Sequence, residues 1–144
     1  MKSLPVGIFA DENSVIAMDP WTQPFWEAGK SNRLVVPCCR ECKIFRLPPL
    51  SFCANCHSQA IDWIDHSRQV ELYSFTICQR KVPGGDGAAF VYIPVVVELP
   101  EAQRVRLMGN LIEVNPAEIR IGMKLEIDWH PIADGWKYPI FRPF

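Results

Sequence analysis

Two Cys-x-x-Cys pairs, Cys39-Arg40-Glu41-Cys42 and Cys53-Ala54-Asn55-Cys56, are separated by ten residues. Two thiolates at that spacing grip one metal ion from a single turn, and two such turns complete a tetrahedron. The pattern predicts a zinc ribbon built on Cys39, Cys42, Cys53 and Cys56. A small ribbon cannot bury enough apolar surface to fold alone. The metal must supply folding energy, on the order of 10 kcal/mol for structural zinc. Loss of one thiolate is therefore expected to unfold residues 38–57. A site closed by four thiolates leaves no position for a substrate, so the motif predicts structure and not a reaction.

Two neighbours complicate the site. Cys38 with Cys42 would need a wider loop, so Cys39 is read as the ligand and Cys38 as a small residue at its edge. His57 follows the last cysteine and is an alternative donor. The other reading places it in a left-handed turn, which His tolerates better than most residues. Iron also fits four thiolates, which keeps a redox centre open beside zinc.

The 144 residues fit one domain or two small modules in contact. Residues 1–68 carry 7 Lys+Arg and 7 Asp+Glu, and residues 69–144 carry 8 and 9, so neither half is basic. Nucleic-acid binding draws most of its affinity from neutralised phosphates, and this balance argues against it. Six cysteines raise the option of a disulfide scaffold. The N-terminal stretch meets Asp11-Glu12 before any long apolar run, so no signal peptide and no membrane span are expected. The expectation is a cytoplasmic protein whose cysteines bind metal.

Residues 1–32 are read as an extended arm and a short aromatic helix, 33–66 as the ribbon, and 67–144 as a β-barrel. Asp19-Pro20 or Thr22-x-Pro24 offers the helix start, and Gly29 its end. Trp21, Phe25 and Trp26 form an aromatic face, suited either to the protein's own core or to a partner's groove. Arg33–Val36 reads as a strand entering the first cysteine turn. Ile61, Trp63 and Ile64 form an apolar seam after the second. From Gln69 the expected strands are Val70–Arg80, Val91–Leu99, Arg104–Ile112, Met123–Trp129 and Tyr138–Phe141. Pro94 and Gly109 predict bulges or bends. Asn115-Pro116-Ala117-Glu118 carries a cap, a proline and a Glu three residues on, which predicts one helical turn. Gly122 then releases the chain. Five strands with a helical insertion between the third and fourth follow the order of an OB-fold.

No catalytic set emerges. His57, His66 and His130 fall in different elements, and no nucleophile elbow, phosphate-binding glycine loop or His-Glu-x-x-His is present. Cys78 lies within a strand and reads as a small hydrophobe. The glycine-rich run Val82–Phe90 reads as a long mobile loop.

The chain closely resembles the family that joins a rubredoxin-like zinc ribbon to an acyl-CoA-associated OB-fold, over roughly residues 20–144. The residues that carry this are Phe25-Trp26-Glu27, Arg33-Leu34 ahead of the first cysteine pair, Pro48-Pro49, the second pair and Tyr73-Ser74-Phe75-Thr76. Later come Val105–Leu111, Ile121-Gly122-Met123 and Phe141-Arg142-Pro143. The family usually has glycine just after each cysteine pair, where this chain has Lys43 and His57.

The resemblance implies a mainly β protein that is not catalytic alone, an accessory subunit of a thiolase-superfamily enzyme. Such partners include acetyltransferases, condensing enzymes, thiolases and retro-aldolases, and they carry the catalytic residues. The small subunit stabilises its partner and helps to form the acyl-CoA channel. Coenzyme A phosphates would call for cations, and Arg40, Lys43, Arg46, Arg80 and Lys81 are the candidates; the alternative is an ordinary solvated face. Trp21, Phe25 and Trp26 are the candidate partner contacts. A second reading, a nucleic-acid-binding zinc-ribbon and OB module, rests on analogy of fold.

Overall fold

A computed structural model describes residues 6–8, 13–81 and 89–144. The tip of the glycine-rich loop, residues 82–88, lies outside them. The elements are β1 (Val6–Gly7), α1 (Gln23–Lys30), β2 (Leu34–Cys39), β3 (Ile61–His66), β4 (Gln69–Phe75), β5 (Cys78–Lys81), β6 (Ala89–Leu99), β7 (Val105–Leu111), β8 (Lys124–Pro131) and β9 (Lys137–Pro143). Three short 3-10 turns cover Pro100–Ala102, Pro116–Glu118 and Ala133–Gly135.

The two predicted helix-start signals follow one another, but only the Asp19 side chain bonds the N–H groups that come after it; Thr22 makes no side-chain cap bond. The Asp19 carboxylate accepts from the backbone N–H of Trp21 (2.9 Å) and Thr22 (2.8 Å), forming a turn ahead of the helix. Thr22 then stands at the N-cap with Pro24 in the first turn, where its missing N–H costs nothing. Gly29 does not end the helix. It is buried inside it, and a Cβ there would lie 2.5 Å from Cζ3 of Trp129. The left-handed turn is taken instead by Asn32, at φ 58°, whose N–H bonds the Gly29 carbonyl at 3.0 Å.

From β4 onward the strands close on themselves. β4 pairs with β6, β6 with β7, β7 with β9, β9 with β8, and β8 with β4 again. Only β7 and β9 are parallel within this cycle, at Asn110↔Ile140 and Leu111↔Phe141. This five-stranded closed barrel is the predicted OB order, with the 3-10 turn Pro116–Glu118 between its third and fourth strands. Asn115 caps that turn by accepting from Ala117 N–H at 3.1 Å.

Alternation along the strands fills the interior, since every second side chain points inward. Val70 and Leu72, then Ile93, Val95, Val97 and Leu99, then Leu125, Ile127 and Trp129 are all buried. Phe25 from the helix and Leu34 and Val36 from the ribbon join the same core, so helix, ribbon and barrel share one apolar cluster. Trp63 packs against that cluster from β3, whereas Ile64 of the predicted seam is exposed.

The expected strand Val70–Arg80 is broken in two. Thr76 N–H turns to the Pro94 carbonyl at 3.1 Å, and β6 changes neighbour there from β4 to β5. Pro94 thus marks a change of strand partner. The predicted bulge at Gly109 is absent: β6 and β7 stay in register from Ile93↔Leu111 to Leu99↔Val105, and the shift lies in β4, between Leu72 and Ser74. Gly109 serves packing, because a Cβ would come 2.5 Å from Phe141 and 2.7 Å from the Pro139 carbonyl oxygen. Part of the predicted arm is ordered too. Val6↔Val91 and Gly7↔Tyr92 pair in parallel, and Asn110 Nδ2 donates to the Gly7 carbonyl at 3.0 Å. No helix among the described residues is long and apolar enough to cross a membrane.

Gly29 gives a test in which two effects oppose each other. Helix propensity alone makes Gly29→Ala stabilising by about 1 kcal/mol. The approach of Trp129 makes it overpacking, which costs about 1–3 kcal/mol. With Trp129 held against Phe25 at a ring separation of 5.6 Å, the clash should dominate. Gly29→Ala is expected to lower the denaturant midpoint with an unchanged m-value.

Candidate metal centre

The two cysteine turns are built alike. Cys39 N–H donates to the Ile44 carbonyl at 2.9 Å, and Lys43 N–H returns to the Cys39 carbonyl at 3.0 Å. In the second turn Cys53 N–H donates to Ser58 at 2.9 Å, and His57 N–H returns to Cys53 at 2.9 Å. Closing each loop so tightly forces the residue after the pair into the left-handed region: φ is 60° at Lys43 and 62° at His57. These are the positions where the sequence departs from the family's glycines. The backbone keeps the glycine conformation without the glycine.

The turns bring Cys39, Cys42, Cys53 and Cys56 together, with all four sulfur atoms within 4.8 Å of one another. The pairs Cys39–Cys56 and Cys42–Cys53 are each 3.5 Å apart. A tetrahedral zinc with Zn–S near 2.3 Å places its sulfurs roughly 3.8 Å apart. The donor set fits structural zinc in both geometry and softness. Zinc held by these four cysteines would supply cross-linking, joining β2 to the loop that leads into β3. Among the described residues this is the one such cluster of His, Cys, Asp and Glu side chains. Neither Cys38 nor His57 belongs to it. Cys38 is buried on β2, and burial pushes its thiol upward.

Backbone N–H groups polarise the site before any metal arrives. The N–H groups of Cys56 and Asn55 bring Cys53 down to about 6. Those of Cys42 and Glu41 lower Cys39, the Cys42 group most strongly and against the effect of burial. The Ser58 N–H also draws Cys56 down, but burial and the three neighbouring sulfurs outweigh it and push Cys56 up to about 12. Four thiolates cannot all ionise side by side without a cation.

The predicted cations separate into three groups. Arg40 Nε and Lys43 Nζ both reach Asp62, at 2.9 and 3.9 Å. Arg46 is only 7% exposed, and that burial removes it from the expected solvent-facing set. Arg80 and Lys81 are exposed on β5. Of the aromatic residues, Phe25 is a core residue at 5% exposure, Trp26 stacks edge-on against it at 5.1 Å, and Trp21 is half-buried. Phe25 therefore offers a partner little surface. His57, His66 and His130 lie on the second cysteine turn, β3 and β8.

An apolar groove of about 330 Å³ runs between α1, the Pro48-Pro49 turn, β7 and β9, lined by Trp26, Leu47, Pro48, Leu107, Met108 and Tyr138. Sequence reading found its helix and its prolines but missed its floor. The signal was present, because the alternation along β7 that turns Arg106 outward also turns Met108 outward.

Two outcomes test the centre. Metal binding must displace the Cys56 proton, so zinc affinity should rise at least about tenfold per pH unit between pH 6 and 8. Competition against a chromogenic chelator at several pH values reads that slope. His57→Gly removes a left-handed non-glycine residue and should stabilise the zinc-loaded protein by about 1 kcal/mol, seen as a higher melting temperature.

Two family descriptions match this chain: the ChsH2 rubredoxin-like zinc ribbon domain over residues 26–62, and the ChsH2 C-terminal OB-fold domain over residues 63–130. A curated protein of Thermomonospora curvata, a probable enoyl-CoA hydratase alpha subunit, is 34% identical over 120 residues. That match covers 83% of this chain and 36% of the relative, so the chain spans about a third of that protein's length. Among solved structures, a chain of the Ltp2-ChsH2(DUF35) aldolase is 31% identical with a TM-score of 0.77, covering 90% of this chain and 98% of that one. A DUF35 protein of unknown function from Sulfolobus solfataricus shares the fold at 15% identity and a TM-score of 0.61, covering 88% and 87%. The chain belongs to the ChsH2 (DUF35) family, a rubredoxin-like zinc ribbon followed by an OB-fold.

Proposed function

We propose that this chain is a non-catalytic accessory subunit of a thiolase-like, acyl-CoA-processing complex. The observation that carries the reading is the near-complete match to a chain of a two-component aldolase, Ltp2-ChsH2. The site chemistry agrees with it. The metal cluster is closed by four cysteines, and the histidines are distributed over three elements. In this reading the partner carries the reacting groups. The small subunit supports the partner and contributes one wall of the acyl-CoA channel.

The groove between α1, the prolines and β7 is the proposed docking surface. Met108 stands at its floor with 67% of its surface exposed, and Leu50 and Phe52 are exposed just beyond the prolines. Arg80 and Lys81, beside the glycine-rich loop, are the cations proposed to face coenzyme A phosphates. Arg40 and Lys43 share one carboxylate, which leaves a weaker field for that role.

Nucleic acid is not part of this reading. The barrel face of β6 and β7 carries Arg104 and Arg106, but Glu98 pairs with both. Glu71 takes Arg104 at 3.2 Å and Lys124 at 3.1 Å. A strand-tracking groove needs cations that remain available to phosphates.

Co-expression with a thiolase-family partner, followed by gel filtration, tests the proposal. The two chains should elute together. Met108→Glu should weaken the complex tenfold or more without changing the melting temperature of the small subunit. Separate elution from each thiolase-family candidate, with the candidates' turnover unchanged by addition of this chain, would sink the reading.

A further inference from the structure

The ribbon contains a buried cation that has no ion-pair partner among the described residues. Arg46 follows the first cysteine turn and is more than nine-tenths buried. Its backbone N–H bonds the Pro37 carbonyl at 2.9 Å, and Phe45 bridges Cys38. Side chains alternate along such a pairing, so Cys38 and Phe45 share one face and Cys39 and Arg46 share the other. Arg46 thus lies on the metal-ligand face of β2. From there Nη1 reaches across to the Ser58 carbonyl at 3.3 Å. That same carbonyl accepts from Cys53 N–H, so Arg46 ties the first cysteine turn to the end of the second. Its Nε and Nη2 are buried and find no acceptor among the described residues. Among the described residues Arg46 forms no ion pair with a carboxylate, whereas Arg40 and Lys43 both reach Asp62.

Burying a guanidinium is costly unless an opposite charge compensates it. A divalent ion held by four thiolates leaves that part of the fold with two negative charges. We infer that Arg46 is the counter-charge of the metal centre, a positioning residue whose buried guanidinium offsets the charge of the four-thiolate site and braces its two turns. Groups beyond the ligands tune a metal site in this way. The inference concerns the ribbon alone and stands whether or not the proposed partner is found.

Iron loaded into the full chain in place of zinc reports the field directly. Reduction of ferric to ferrous iron adds one negative charge to the centre, which a nearby fixed cation favours. Arg46→Gln should lower the midpoint potential by a tenfold or greater shift in the ferric–ferrous equilibrium, about 59 mV per tenfold for one electron. Arg46→Lys should keep the equilibrium within about threefold of the parent. An unchanged potential in Arg46→Gln would overturn the inference. So would an equal fall in both variants, because shape and not charge would then be at work. Should Arg46→Gln fail to retain metal, zinc competition decides: near-parent affinity in Arg46→Lys supports the counter-charge, and equal failure of both overturns it.

Discussion

The demand that four sulfurs meet at one point governs the N-terminal half of this protein. It requires two loops to close with the same hydrogen bonds, and it holds β2 beside the loop that feeds β3. With β2 so placed, Leu34 and Val36 can enter the barrel core, and Phe25 can follow from the helix. The metal site and the apolar cluster are therefore coupled. The ribbon is too small to supply its own core, and the barrel lends it one.

The same demand is met here at a local cost. Lys43 and His57 both hold a left-handed backbone that glycine adopts freely. A closed hydrogen-bond pattern over-determines each turn, and a metal shared by the four cysteines would add to it, which is the condition under which such strain persists. At the first of these positions the side chain gains something glycine lacks. Lys43 extends toward Asp62, on the strand paired with β2.

Much of this was legible in the chain. The cysteine spacing announced the ribbon, and five β-rich segments with a capped turn between the third and fourth announced the barrel. Elements whose local chemistry agrees with their final setting can be read this way. What escaped reading depended on contacts distant in sequence. Gly29 looks like a helix terminator until Trp129, a hundred residues on, is packed against it. Gly109 looks like a bulge until Phe141 crosses it. Arg46 resembles any surface arginine, because nothing adjacent to it in sequence shows that Ser58 and the cysteine turns will enclose it. The exposed floor of the groove was readable from strand alternation alone.

The strand β6 has a consequence for how the chain is made. It pairs with β1, β4, β5 and β7, more neighbours than any other strand has. β1 precedes the other strands described, yet its partner Val91 and its clasp from Asn110 leave the ribosome long after it. β1 therefore cannot dock until β6 and β7 have been made. It then adds a short parallel strand to β6, beside a barrel whose five strands close on themselves without it.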